Sequence, residues 1–383
     1  MSNKIWLSSP HMGGNEMKYV QQAYDSNWVA PLGPNLTGFE TALEKYICND
    51  VKVACLSSGT SAIHLALILA GVKKNDEILC QSFTFSASAN PIAYQGAKPI
   101  FIDSEINTWN MCPVALENAI KDRILKGKKP RAIILVHLYG MPGKVDEIST
   151  IASKYKIKLI EDAAEALGSI YKGQKCGTFG DFGILSFNGN KIITTSGGGA
   201  LVCHTEKDKQ KAIFFATQAR DAAVHYQHSE IGYNYRMSNI LAGIGRGQME
   251  VLDTHIVLRR SMNQFYQALF NDVDGITVFK EPTEDYFSNY WLSCIIIDSN
   301  ILGLTSEDLR LHLKKNNIES RPLWKPMHLQ PIFKDYDYYG SDISETLFKN
   351  GLCLPSGSNL TDIDRERIKT SLQSFLSQIK NQK

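Results

Sequence analysis

The segment Ser186-Phe187-Asn188-Gly189-Asn190-Lys191 sets one lysine among small polar residues, and Ile192-Ile193-Thr194-Thr195 carries it into Ser196-Gly197-Gly198-Gly199. A surface lysine needs no such setting. A lysine that forms an imine needs a partly desolvated pocket and small neighbours, so that a flat partner can lie close. A solvated lysine beside a glycine turn is the plainer reading of the same residues. The segment alone does not separate the two.

A second chemical stretch lies upstream. Val51 to Leu56 reads as a strand, Ser57-Ser58-Gly59-Thr60-Ser61 as a turn, and Ala62 to Ala70 as a helix. Free backbone N–H groups and hydroxyls at a helix start suit a phosphate. No Gly-Lys-Ser/Thr follows, so this is not a Walker loop, and GxGxxG is absent, so it is not a dinucleotide fingerprint. An ordinary helix cap fits Ser-Gly-Thr equally well.

The elements that must position these residues alternate. Glu77 to Gln81, Pro99 to Asp103, Ala132 to Val136 and Ile157 to Glu161 read as strands. Phe85 to Gln95, Pro113 to Lys126 and Val145 to Lys154 read as the helices between them. This rhythm predicts a doubly wound, mostly parallel sheet with helices on both faces. Ligands of such sheets gather beyond the carboxyl ends of the strands. Ser57–Ser61, Phe83–Phe85, His137 and Asp162 all fall just past predicted strand ends, which argues for one site. His137 also fits a satisfied core histidine and is left out of the chemistry.

Upstream, Gly14 to Tyr24 and Asn35 to Tyr46 read as helices. Downstream come a strand from Ala200 to Cys203, a helix from about Lys207, an aromatic and basic loop at Ile231–Ser238, and a long helical region through Leu252, Ile256 and Leu258. The texture changes near Phe279. Tyr290 to Ile297 reads as a strand, and Ser306 to Asn316 and Thr361 to Ile379 as helices. The division expected is a large domain with an N-terminal arm over 1–250. A linking helix and a smaller α+β domain follow over 251–383.

The chain has 383 residues, 43% hydrophobic and 21% charged, with a formal net charge of +2. That balance fits a globular protein and argues against nucleic acid or an anionic membrane as the main partner. The eight cysteines are scattered without a CxxC pair, which reads as reduced thiols and no zinc site. Met1 to Trp6 shows no signal segment. The expected location is the cytoplasm.

With Ser-Gly-Thr-Ser at 58–61, Glu-Asp-Ala-Ala at 161–164 and Ser-Phe-Asn-Gly-Asn-Lys at 186–191, the chain resembles the DegT/DnrJ/EryC1/StrS family. These are sugar aminotransferases of the aspartate-aminotransferase fold, dependent on pyridoxal phosphate. The resemblance runs from the Pro10 region to Leu354-Pro355-Ser356-Gly357. It implies that Lys191 is the Schiff-base lysine and the proton carrier, and that Asp162 pairs with the pyridine nitrogen. It implies phosphate contacts from Gly59, Thr60 and Ser186, and a ring-face contact from Phe85. Glu165 and Asn188 fall at cofactor-contact positions whose roles stay open. Asn234 would reach the neighbouring subunit's phosphate, which implies a homodimer with shared sites. Arg236, Lys325 and His328 would meet substrate, and Arg321 with Lys325 and Arg236 would suit a diphosphate.

The implied reaction has two half-reactions. L-glutamate gives its amino group, and a nucleotide-linked 4-keto-6-deoxy sugar accepts it. The loop residues most resemble the UDP-N-acetylbacillosamine-type transaminases, which points to UDP-2-acetamido-4-keto-2,4,6-trideoxyhexose. A GDP-4-keto-6-deoxymannose aminotransferase, like perosamine synthase, is the nearest alternative. A sugar 3-dehydratase on this fold carries histidine at the lysine position, so Lys191 argues against it. A non-catalytic binding protein on this fold would be favoured by loss of Lys191 or Asp162, and both are present.

Overall fold

A computed structural model of the protein describes residues 3–380. Seven strands in the first part of the chain build most of one sheet: β1 (Lys52–Leu56), β2 (Glu77–Gln81), β3 (Lys98–Ile102), β4 (Ala132–Val136), β5 (Lys158–Asp162), β6 (Phe182–Ser186) and β7 (Gly199–Cys203). An eighth short strand, β8 (Tyr338–Tyr339), comes from far downstream and pairs parallel with β3. The order across the sheet is β1-β7-β6-β5-β4-β2-β3-β8. Only β7 runs against the others, antiparallel to both β1 and β6. The ends of β1, β4, β5 and β6 therefore open on one edge, where the chemical residues were expected. The sheet is mixed and mostly parallel.

The strands are apolar on both sides because both sides are covered. In β1, Ala54 and Leu56 pack with the helix Gly59–Leu69, while Val53 and Cys55 pack with the helix Pro34–Ile47. The helices Pro113–Leu125 and Val145–Tyr155 cover β4 and β5 on the face that carries Ile133, Leu135 and Leu159.

Two local readings change. The expected helix from Phe85 to Gln95 is a 3₁₀ turn, Ser86–Ser88, followed by a short helix, Asn90–Tyr94. Pro91 has no N–H to donate and disfavours helical backbone just before it. Strand β6 was not foreseen. Its Gly183 hides the apolar alternation, and only glycine fits there: an added Cβ would stand 2.1 Å from the Gly177 carbonyl oxygen.

A second sheet holds Ile276–Val278, Ser293–Ile297, Gly351–Leu354 and Arg321–Pro322, in that order. The helices Leu252–Phe270, Ser306–Lys315 and Asp362–Lys380 lie in this part of the chain, and its core runs through Tyr266, Ile295, Leu309, Leu352 and Leu372. The N-terminal arm joins the same core through Ile5, which bridges to Ile318. Among the described residues no helix is long and apolar enough to cross a membrane.

Candidate active site

The edge of the large sheet and the second sheet enclose a cavity of about 590 Å³, within the usual range for a small-molecule site. Gly59, Thr60, Phe85, Asp162, Glu165, Ser186, Asn188 and Lys191 all line it. These residues come from four separate segments of sequence.

Ser58 caps the helix Gly59–Leu69, and its side chain and that of Ser61 bond reciprocally to each other's backbone N–H. The first N–H groups of a helix, here those of Gly59 and Thr60, have no partner within it, and the helix dipole adds partial positive charge. Ser186 ends β6 beside them. A Cβ added to Gly59 would stand 3.2 Å from the Ser186 Cβ, and one added to Gly199 would stand 2.3 Å from the Gly59 nitrogen. The glycines let the helix start press against β6 and β7, forming a cradle of N–H and hydroxyl groups sized for an oxyanion.

Asp162 ends β5 and is buried. Its Oδ2 accepts from Ser88 Oγ at 2.6 Å, and its Oδ1 accepts from the Ala164 N–H at 3.2 Å. Ser88 is in turn 2.8 Å from Thr84 Oγ1. The break at Pro91 thus has a consequence: the 3₁₀ turn before it delivers Ser88 to the carboxylate.

Lys191 points into the cavity with its side chain 11% exposed. Its Nζ lies 3.1 Å from Glu165 Oε1 and 4.0 Å from the centre of the Trp291 ring. The backbone around it is pinned. Trp291 Nε1 and Ser8 Oγ each donate to the Asn190 carbonyl at 2.7 Å, and the Lys191 N–H reaches Asn188 O at 2.9 Å. The buried Arg259 donates to Trp291 O at 2.6 Å and to Lys191 O at 3.4 Å.

Glu165 is buried between Lys191 and the Tyr139 N–H, which donates to Oε2 at 2.7 Å. Burial pushes its carboxyl up to about 7, with the Lys191 cation and the Tyr139 N–H pulling the other way.

The DegT/DnrJ/EryC1/StrS aminotransferase family model matches residues 10–373. The chain belongs to this family. It is 51% identical over 373 residues to EpsN of Bacillus subtilis (strain 168), a protein named for pyridoxal phosphate-dependent amino transfer, covering 96% of this chain and 95% of that one. It is 37% identical over 374 residues to the GDP-perosamine synthase of Escherichia coli O157:H7, covering 97% and 99%. The crystal structure of a DegT DnrJ EryC1 StrS aminotransferase from Brucella abortus superposes with a TM-score of 0.87 at 26% identity, covering 94% of this chain and 95% of that one.

Pyridoxal phosphate is the cofactor of these aminotransferases, and the residues present fit it. The N–H and hydroxyl groups at Gly59, Thr60 and Ser186 could take its phosphate. The fixed carboxylate of Asp162 could pair with the ring nitrogen, and Lys191, in the same cavity, could supply the amine for its aldehyde. Phe85 stands at the cavity wall, 55% exposed, with its ring 5.5 Å from that of Trp324.

Four expected site residues do not line this cavity. Arg236 turns away from it: its guanidinium donates to Glu40 Oε1 at 2.6 Å and to the Cys55 carbonyl at 2.9 Å. His328 is held by Ser82 Oγ at 2.7 Å, by Glu345 at 3.2 Å and by stacking on Tyr338. Lys325 is exposed, and Asn234 lies on an exposed loop. His137 is a buried histidine bonded to Glu161 at 2.9 Å, as its plainer reading has it.

Other lining residues gave no signal. Trp291, Glu319 and Trp324 line the cavity, yet they lie a hundred residues or more beyond Lys191. Ser88 supports Asp162 from within a stretch read as helix. The only trace in sequence is a density of aromatics around the prolines of the second part of the chain.

Proposed function

We propose that this aminotransferase moves an amino group from L-glutamate to the 4-keto carbon of a nucleotide-linked 6-deoxy sugar, in two half-reactions at one site. The observation that carries this reading is the meeting of Lys191, Asp162 and the Gly59–Ser186 cradle in one cavity.

Bound pyridoxal phosphate supplies an aldehyde carbon that takes up and hands on an amino group, and a ring that holds the electron pair left by a departing proton. The protein supplies the rest. The N–H groups of Gly59 and Thr60 and the Ser186 hydroxyl hold the phosphate end. Asp162, fixed by Ser88, would pair with the ring nitrogen and favour its protonated form. Lys191 would hold the cofactor's aldehyde end and, once displaced by the donor's amine, would serve as the acid and base at the donor's α-carbon. Glu165 keeps the lysine's amine in the cavity between steps. The walls of Trp291, Trp324 and Phe85 keep water away and offer flat faces to a sugar.

The acceptor we favour is UDP-2-acetamido-4-keto-2,4,6-trideoxyhexose, on the likeness of the segments 186–199 and 321–328 to transaminases of that sugar. The 37% identity to a GDP-perosamine synthase favours a second reading, GDP-4-keto-6-deoxymannose. The protein works in the cytoplasm as a homodimer with shared sites. Asn234, exposed and away from its own cavity, suits a contact with the neighbour's cofactor.

The test is the visible spectrum of the cofactor-loaded protein. L-glutamate should bleach it, and the correct keto sugar should restore it. Return with the GDP sugar alone selects the second reading. Return with neither, after bleaching by glutamate, removes both acceptors.

A further inference from the structure

Both substrates of the proposed reaction are anions. One carries carboxylates and the other a diphosphate, and each must be held while its reacting carbon sits at Lys191. Among the described residues, the cations that line the cavity are Lys191 and Arg321. Lys191 is occupied with Glu165 and the chemistry. The other basic residues expected at substrate are elsewhere: Arg236 is neutralised by Glu40, and Lys325 does not line the cavity.

Arg321 is not a loose surface arginine, although 67% of its side chain is exposed. It starts the edge strand Arg321–Pro322 of the second sheet, paired with Cys353 and Leu352. Its Nε and Nη2 both donate to one oxygen, Glu319 Oε1, at 3.0 and 2.8 Å. The other oxygen, Glu319 Oε2, accepts from the Leu7 N–H of the N-terminal arm at 3.1 Å. Glu319 is therefore clamped from both sides and fixes the plane of the guanidinium. Among the described residues, Nη1 has no hydrogen-bond partner. A planar fork held on one side presents its remaining donors to a planar or tetrahedral oxyanion on the other.

We propose that Arg321, oriented by Glu319 and the Leu7 N–H, is the oxyanion anchor at the mouth of this site. The inference rests on the function proposed above. The oxyanion is the donor's carboxylate or the acceptor's diphosphate, and the two half-reactions separate these sources. Glu319 is a positioning residue: it sets the direction of the fork.

Arg321→Ala and Arg321→Lys are compared with the wild type in each half-reaction alone, followed by cofactor absorbance. L-glutamate is used first, then the sugar nucleotide that the wild type aminates. UDP and GDP are titrated separately as binding probes. For Arg321→Ala the half-saturation of one substrate should rise about 10- to 100-fold, the loss expected for a charged hydrogen bond, with a much smaller change at saturation. Arg321→Lys keeps the charge but loses the fork, and should recover only part of it. A shift for glutamate alone assigns the carboxylate. A shift for the sugar nucleotide and its free nucleotide assigns the diphosphate. If both half-saturations stay within about twofold of wild type, Arg321 is not the anchor. A wild type that aminates no keto sugar removes the function above instead, and the glutamate arm still reads Arg321.

Discussion

The amine of Lys191 stands 3.1 Å from one oxygen of Glu165, and the backbone of Tyr139 holds the other oxygen at 2.7 Å. A buried carboxyl is thus divided between a movable cation and a fixed donor. If Lys191 swings away from Glu165, as the proposed reaction requires, the Tyr139 N–H still holds the carboxyl in place.

Replacing Lys191 by alanine should abolish covalent capture of the cofactor. Borohydride treatment followed by peptide mass analysis should label the 186–199 segment in wild type and no peptide in Lys191→Ala. Amino transfer should fall by at least about 10³-fold, the scale of a lost general acid–base group.

The carboxyl of Glu165 gives a pH dependence with a definite sign. Its ordinary value is 4.5 and burial raises it to about 7 in the folded protein. Between these values the folded state binds more protons than the unfolded state, so stability falls as pH rises through that window. Thermal melts of cofactor-free wild type and Glu165→Gln from below to above the window should show it. The wild type should lose ground to the variant as pH rises, by on the order of 3 kcal/mol in total. A constant gap would mean that the carboxyl titrates at its ordinary value.

The support of Asp162 by Ser88 is separable from the carboxylate itself. Asp162→Asn removes the charge that keeps a ring nitrogen protonated and should cost amino transfer at least about 10²-fold. Ser88→Ala removes one hydrogen bond of 2.6 Å and should cost about tenfold. Steady-state rates at saturating substrate decide the order of the two.

Gly199→Ala should be poorly tolerated, since its new Cβ would stand 2.3 Å from both the Ser58 carbonyl carbon and the Gly59 nitrogen. Overpacking of this kind costs about 1–3 kcal/mol, and here it also displaces the phosphate cradle. The melting temperature and the cofactor dissociation constant should both worsen. Gly189→Ala, whose Cβ would meet only Pro10 at 3.9 Å, serves as the control for stability.

Arg236→Ala separates a structural role from a substrate contact. The Arg236–Glu40 pair is nearly buried, at 9% and 6% exposure, and losing one partner of such a pair costs about 3 kcal/mol. Urea melts should show that loss, while the KM for both substrates stays near wild type. A large rise in one KM with unchanged stability would return Arg236 to the substrate.

The half of the site built on strand ends could be read from sequence. β5 and the turn after β1 are short apolar runs stopped by small polar residues, so Asp162, Gly59 and Thr60 announce their place. Lys191 stands out only in company: its small neighbours fit a solvated lysine too, and it is the order of the motifs at 58–61, 161–164 and 186–191 that singles it out. The other half depends on contacts between distant segments. Arg236 is visibly basic, but the partner that neutralises it, Glu40, lies 196 residues away. The same holds for Trp291, which covers Lys191 from the segment just before the strand Ser293–Ile297, and for Glu319, whose second oxygen is held by Leu7. Ser88 was hidden by helical spacing that Pro91 interrupts.

The connection between the strand Arg321–Pro322 and strand β8 is suspended at both ends, one in each sheet. Between them the Met327 N–H is tied to Ser82 O at 2.7 Å, and His328 is tied to the same serine's hydroxyl. This wall of the mouth is a bridge riveted to the large sheet, not a flap on a hinge. Under the function proposed above, passage of a bulky sugar nucleotide would fall to rotations of Phe85 and Trp324, with little backbone order to be gained on binding. Small-angle scattering profiles with and without substrate should superpose.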